Sequence, residues 1–157
     1  MSKKNRLLLA IIVAVGLSYI VSQFYFQMMV VIGDSMHPTF RKYQIVLLDK
    51  QSKDYIAGDV IAFRSETLDG VIVKRIVGCP GDKVEIKEGV LLVNDNPSPF
   101  YANQVFEYEG LLKTSLKLGE QQFIVIGDNI SESKDSRYDE VGIVSLSDIL
   151  GKVIQFR

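Results

Sequence analysis

The chain has no tryptophan, a single cysteine, Cys79, and a single histidine, His37. One cysteine excludes an intrachain disulfide and any cysteine-based zinc site. One histidine excludes a multi-histidine metal centre and leaves a Ser-His-Asp arrangement with one possible base. Neither sign of charge dominates: 18 Lys and Arg stand against 19 Asp and Glu, a formal net charge of −1. There is thus no overall basic field to hold nucleic acid. There is no internal repeat and no low-complexity segment. The expectation is a protein without metal or cofactor and without a nucleic-acid partner.

What charge there is lies unevenly. Lys3, Lys4 and Arg6 stand in the first six residues with no acid among them, which leaves 15 basic against 19 acidic side chains beyond. From Leu7 to Gly33 no residue is charged. The 23 residues Leu7–Met29 would make a helix of about 34 Å, against a hydrocarbon core of about 30 Å. Tyr19, Phe24, Tyr25 and Phe26 suit an aromatic belt at its outer end. A cleaved signal peptide also starts basic and turns apolar. Its apolar region is shorter, and no A-x-A-like site closes this one, so the run reads as a retained anchor. The basic N-terminus places residues 1–6 in the cytoplasm, 7–29 in the membrane and 30–157 outside.

Beyond the anchor the chain reads as short strands between glycine- and proline-rich turns. Gln44–Asp49, Asp59–Arg64, Val71–Val77, Lys83–Lys87, Val90–Asn94 and Gln121–Ile126 read as strands. Val141–Val144 is a short one and Lys152–Phe156 a last one, with a helical turn at Ser147–Leu150. Residues 131–137 read as a loop, and residues 100–120 carry no clear period. The fold class is mainly β: one transmembrane helix, then an antiparallel, barrel-like domain.

Two residues stand out chemically. Ser35 lies in a stiff turn, with Gly33 two residues before it and Pro38 three after. It is either a nucleophile or an ordinary turn serine. Six residues beyond Met29, its Cα is within roughly 20 Å of the end of the span. Lys74 shares a strand face with Ile72 and Ile76. Buried there, its ammonium loses hydration and the amine can act as a base; at a sheet edge its stem would pack on isoleucine and its head reach water. His37, just before Pro38, reads as a solvent-facing turn residue.

Gly33-Asp34-Ser35-Met36-His37-Pro38-Thr39 resembles the G-x-S-M-x-P-T box of type I bacterial signal peptidases. Val73–Asp82 looks like their K-R-x-x-G-x-P-G-D box. Gly127-Asp128-Asn129 with Ser133–Arg137, then Gly142, is similar to their G-D-N-x-x-x-S-x-D-S-R box. The boxes stand in the family's order behind an N-terminal anchor. The resemblance implies a membrane-anchored endopeptidase with Ser35 as nucleophile and neutral Lys74 as base, acting on signal-peptide-bearing precursors at the lipid bilayer near the translocon. It implies that Ser133 orients the lysine amine, that Asp135 and Arg137 pair beside the site, and that the Ser35 N–H is an oxyanion donor. Ile32, Gly33, Met36, Phe40, Ile72 and Val73 are then candidates for shallow apolar subsites. Three features depart from the pattern. Gly33 offers no hydroxyl where some members carry serine, Ile130 replaces a common arginine, and Tyr138–Val141 is about two residues longer than usual. Two rival readings are a self-cleaving repressor-type Ser-Lys peptidase, which the anchor opposes, and a silent homologue, which would have lost Ser or Lys.

Overall fold

The computed structural model describes residues 2–154. Helix α1 runs over Lys3–Tyr25, capped by Ser2, whose hydroxyl accepts from the Asn5 N–H. None of its residues is buried against the protein. An apolar helix with no protein around it suits lipid. The apolar run predicts helix through Met29, but the helix ends at Tyr25. Strand β1 (Phe26–Val30) follows at once and pairs antiparallel with β2 (Ile45–Asp49), Phe26 opposite Asp49 and Val30 opposite Ile45. Tertiary pairing overrides the helical continuation: β2 takes up the backbone groups of β1, and Met29 packs into the core beneath. The last helical carbonyls are also claimed. Lys50 N–H donates to Tyr25 O at 2.9 Å, Lys50 Nζ to Gln23 O at 3.3 Å and Gln51 Nε2 to Phe24 O at 3.1 Å.

The remaining strands are β3 (Val60–Ser65), β4 (Gly70–Gly78), β5 (Lys83–Lys87), β6 (Val90–Val93), β7 (Asn96–Pro97), β8 (Leu116–Lys117), β9 (Gln122–Ile126), β10 (Val144–Ser145) and β11 (Ile149–Ile154). Seven of them form one antiparallel sheet in the order β1-β2-β11-β3-β4-β9-β10. Four form a second, β7-β6-β5-β8. The mainly β expectation holds, and the larger sheet is open, with β1 and β10 at its two edges. Val141–Gly142 belongs to a turn, both N–H groups donating to Tyr138 O, so the expected strand there starts only at Val144. The expected helical turn is a 3₁₀ turn over Leu146–Asp148. The last strand begins earlier than expected, at Ile149, and of the predicted range Gln155 and Phe156 lie outside the described residues. Residues 100–120 hold a 3₁₀ turn, Gly110–Lys113, and β8.

Three apolar clusters fill the interior. One, with Val84, Ile86, Leu91, Phe106 and Leu112, lies under the small sheet. A second joins Val31, Met36, Phe40, Val46, Leu48 and Ala62 beneath the Ser35 turn. A third joins Ile61, Phe63, Ile76, Phe123 and Val125 around β3, β4 and β9. Strand β4 therefore runs through the middle of the protein. A bulge near its end, between Ile76 and Gly78, falls where the chain passes to the second sheet. Gly78 is required there, since a Cβ would come within 2.6 Å of Val84 Cγ2.

Candidate active site

Lys74 pairs with Ile61 of β3 across the ladder. It is not an edge lysine with its head in water, because its residue surface is 3% exposed. Its Nζ lies 2.6 Å from Ser35 Oγ, joining side chains 39 residues apart. Burial pushes the Lys74 ammonium from its ordinary 10.5 down to about 8. The charges of Asp135 and Asp128 oppose that shift, and that of Arg137 adds to it. Near neutral pH a useful fraction of the amine is therefore unprotonated. An amine in that state beside a serine hydroxyl can take its proton. His37 is exposed in the same turn, and no hydrogen bond joins its ring to Ser35 among the described residues.

The Ser35 turn is held from several sides. Met36 and Phe40 root it in the core, and Phe40 N–H donates to Met36 O at 2.9 Å. Asn129 N–H donates to Ser35 O at 3.0 Å, and Asn129 Nδ2 to Asp34 O at 3.3 Å. Gly33 takes φ of 107°, a region that favours glycine. Gly127 is closed in: a Cβ there would lie 2.6 Å from Ser35 O and overlap Ser133 Oγ.

Sequence reasoning missed a polar brace. Arg75, beside Lys74, binds Asp128 through Nε at 2.7 Å and Nη2 at 2.6 Å, and Gly58 O through Nη1 at 2.7 Å. Thr39 Oγ1 donates to Asp128 Oδ2. The brace ties the serine turn, the lysine strand and the Gly127–Asn129 loop together. All three residues sit in the recognisable boxes, which is the signal that could have found it. Tyr101, from the segment without a period, donates to Ile126 O at 3.2 Å below the same loop. Burial first, then the Asp128 charge, raises its hydroxyl above the ordinary value and keeps it a neutral donor.

Asp135 and Arg137 form a buried ion pair, Nε to Oδ1 2.8 Å. Arg137 also donates to Ile130 O at 2.8 Å and Ser133 O at 3.2 Å, while Asp135 Oδ2 accepts from Gly127 N–H at 3.1 Å. The hydrogen bond expected between Ser133 and the Lys74 amine is not formed. Ser133 Oγ is buried beside Gly127 and has no partner among the described residues, because the amine is turned to Ser35.

A groove of about 470 Å³ opens at Ser35 and Lys74. Gln27–Ile32 form one wall and Val71–Val73 the other, with Met36 in the lining. Of the expected subsite residues, Ile32, Met36, Ile72 and Val73 line it. Gly33 and Phe40 do not. Gly33 shapes the turn, and Phe40 points inward as a core residue, 3% exposed. Both walls present free strand edges. β1 is the outermost strand of its sheet, and β9 covers β4 only from Arg75 onward, leaving Val71–Lys74 open on that side. An extended peptide can lie between two such edges.

A serine hydroxyl, a desolvated amine and a strand-lined groove describe a class of peptidase chemistry, and comparison with known proteins gives it a family. The model of the family described as signal peptidase, peptidase S26, matches residues 4–156. Signal peptidase I P of Bacillus subtilis subsp. natto is 33% identical over 153 residues, covering 90% of this chain and 82% of the relative. Signal peptidase I S of Bacillus subtilis strain 168 is 32% identical over 165 residues, covering 96% and 88%. A solved signal peptidase I from Enterococcus faecalis V583 superposes with a TM-score of 0.51 at 27% identity, covering 63% of this chain and 96% of that one. The class is thus a serine peptidase, a hydrolase. Within that class, the chain belongs to the signal peptidase I family, peptidase S26.

Proposed function

We propose that this protein is a membrane-anchored endopeptidase that removes N-terminal signal peptides from exported precursors with a Ser35–Lys74 dyad. The observation that carries the reading is the 2.6 Å contact of the buried Lys74 Nζ with the half-buried Ser35 Oγ in the lining of the groove. The precursor lies extended between β1 and β4, with small residues before the cut seated against Ile32, Met36, Ile72 and Val73. Neutral Lys74 takes the hydroxyl proton as Ser35 Oγ attacks the scissile carbonyl. The oxyanion is stabilised by the Ser35 N–H. The lysine then protonates the leaving amine, giving an acyl-enzyme. It next takes a proton from water as that water attacks the ester, and gives the proton to Ser35 Oγ as the acyl–Oγ bond breaks, releasing the acid and restoring the neutral amine and the serine hydroxyl. Ser133, unpartnered while the amine faces Ser35, orients that amine once the acyl group occupies Oγ. The Asp135–Arg137 pair fixes the loop carrying Ser133.

Helix α1 spans the bilayer with Lys3, Lys4 and Arg6 on the cytoplasmic side, which puts the groove outside, near the lipid and the export machinery. The helix length and the direct passage of Tyr25 into the groove wall support this placement. The test is cleavage of a full-length exported precursor with an A-x-A site by the purified protein in lipid, beside Ser35→Ala. Expected is a cut after the site by the parent protein and none by the variant, which keeps the parent's circular dichroism. A folded parent that cuts nothing would mean a silent homologue, and an active Ser35→Ala protein would reject the nucleophile.

A further inference from the structure

A second cavity, of about 520 Å³, is bordered by Ile130 and Ser131, next to the Asn129 that holds the Ser35 turn. Val105, Glu107, Tyr108, Ile130, Ser131 and Tyr138 line it. Its apolar groups are notably open: Val105 is 70% and Tyr108 48% exposed. The Tyr108 and Tyr138 rings stand 4.7 Å apart at 30° and make a preformed aromatic wall. Arg137 at its floor has no charge to spare. It is bound to Asp135 and two carbonyls, with the rings of Phe106 and Tyr138 against it. Glu107, the other charged residue of the lining, is exposed and has no ion-pair partner among the described residues. None of these residues has a part in the proposed dyad or in the groove before the cut.

The cavity is tied directly to the nucleophile. Asn129 N–H holds Ser35 O at 3.0 Å, Ser131 Oγ donates to Asn129 Oδ1 at 2.9 Å, and Gln104 Nε2 donates to Asp128 O at 3.5 Å. Two Cα steps of 3.8 Å and that hydrogen bond put Ser131 within about 12 Å of the Ser35 carbonyl. That upper bound is at most three to four residues of extended peptide at about 3.3 Å each. The groove between β1 and β4 includes Ser35 and Lys74 in its lining and shares no lining residue with this cavity. A substrate continued beyond the reacting serine and over Asn129 would reach this cavity within that length.

We propose that the cavity is the subsite for the start of the mature protein. It seats an apolar side chain three or four residues after the cut against Val105 and Tyr108, and Glu107 turns acidic side chains away there. This rests on the endopeptidase reading above and extends it to the product that leaves. The occupant is a peptide segment of the substrate itself, continuous with the part bound before the cut.

The test compares three peptides with the same residues before the cut, using the full-length protein in detergent micelles. One carries a single residue after the cut. The second carries five, with leucine at the third and fourth, and the third has aspartate at those two places. Expected is a kcat/KM about tenfold higher for the leucine peptide than for the short one, the effect of seating one apolar side chain. The aspartate peptide gains less than twofold. In Val105→Asp and Tyr108→Ala the ratio of leucine peptide to short peptide falls toward one. Equal cleavage of all three by the parent protein overturns the inference and leaves the dyad standing, as does a ratio untouched by both substitutions. No cut in any peptide removes the endopeptidase reading and the inference with it.

Discussion

Replacing Lys74 by methionine should abolish activity and stabilise the fold at neutral pH. The ammonium is buried at 3% exposure, and burial lowers its value from 10.5 to about 8. In the unfolded chain it returns to 10.5. Below pH 8 both states are protonated, and the folded state bears the full penalty of a desolvated charge. Between pH 8 and 10.5 the folded lysine is neutral while the unfolded one is not, so stability climbs with pH. Above 10.5 the penalty is gone. At about 1.4 kcal/mol per pH unit the penalty is about 3 kcal/mol. Methionine has similar length and no charge, and it forgoes the hydrogen bond to Ser35 Oγ, a loss of about 1 kcal/mol. Lys74→Met is then about 2 kcal/mol more stable than the parent at pH 7 and about 1 kcal/mol less stable near pH 10.5. Urea unfolding of the full-length protein in detergent micelles measures this between pH 6.5 and 10.5. With seven tyrosines and no tryptophan, near-ultraviolet circular dichroism is the natural signal. Groups unaffected by the substitution cancel in the difference. The same titration governs the parent's kcat/KM, which should rise about tenfold from pH 7 to 9 and then level off. A stability difference that stays constant across the range would refute the desolvated lysine, and with it the reason for an amine base.

Gly127→Ala puts a methyl 2.6 Å from Ser35 O and into Ser133 Oγ. Peptide cleavage should fall at least 100-fold with the thermal midpoint lowered by several degrees; retained activity would show that the turn gives way. Asp128→Asn breaks the bidentate pair with Arg75, whose partners are 13% and 10% exposed, and should lose about 3 kcal/mol in the same urea assay. A loss under about 0.5 kcal/mol would make the brace incidental. A dyad needs no metal ion, so incubation with a chelator followed by peptide assay should leave the rate within twofold; a large loss restored by added metal would contradict it.

The strands with clean alternation, such as Lys83–Lys87, and those bounded by glycine turns, such as Gly70–Gly78, were legible because periodicity and turn residues agreed there. Ser35 and Lys74 were legible as a pair through their boxes, while their local composition left an ordinary turn serine and an edge lysine open. The burial of Lys74 follows from β3 and from the turn delivered 39 residues earlier. The end of the helix was not legible. Phe26–Val30 is as apolar as the helix before it, and its strand state comes from pairing with residues 45–49. That Phe40 lies in the core and not in the groove lining was not legible for a similar reason: nothing local says on which side of a turn a ring lies. Residues 100–120 hid the most. They carry few periodic contacts of their own, yet Gly110 sits so close against Arg137 O that a Cβ would overlap it, and Tyr101 hangs from the Gly127 loop.

No residue separates Tyr25 of the helix from Phe26 of β1, so the join has no slack. Each added residue would turn the helix by about 100° and lengthen it by about 1.5 Å. Absorbed by the strand instead, the same residue would exchange the two faces of β1 and carry Met29 out of the core. The join therefore works as a fixed gauge, setting both the height of the groove above the end of the helix and the bearing of its opening. On the membrane-anchored reading proposed above, a foreign helix grafted here would have to match this one in phase as well as in hydrophobic length. A flexible spacer placed at the join would leave the chemistry intact while losing its aim.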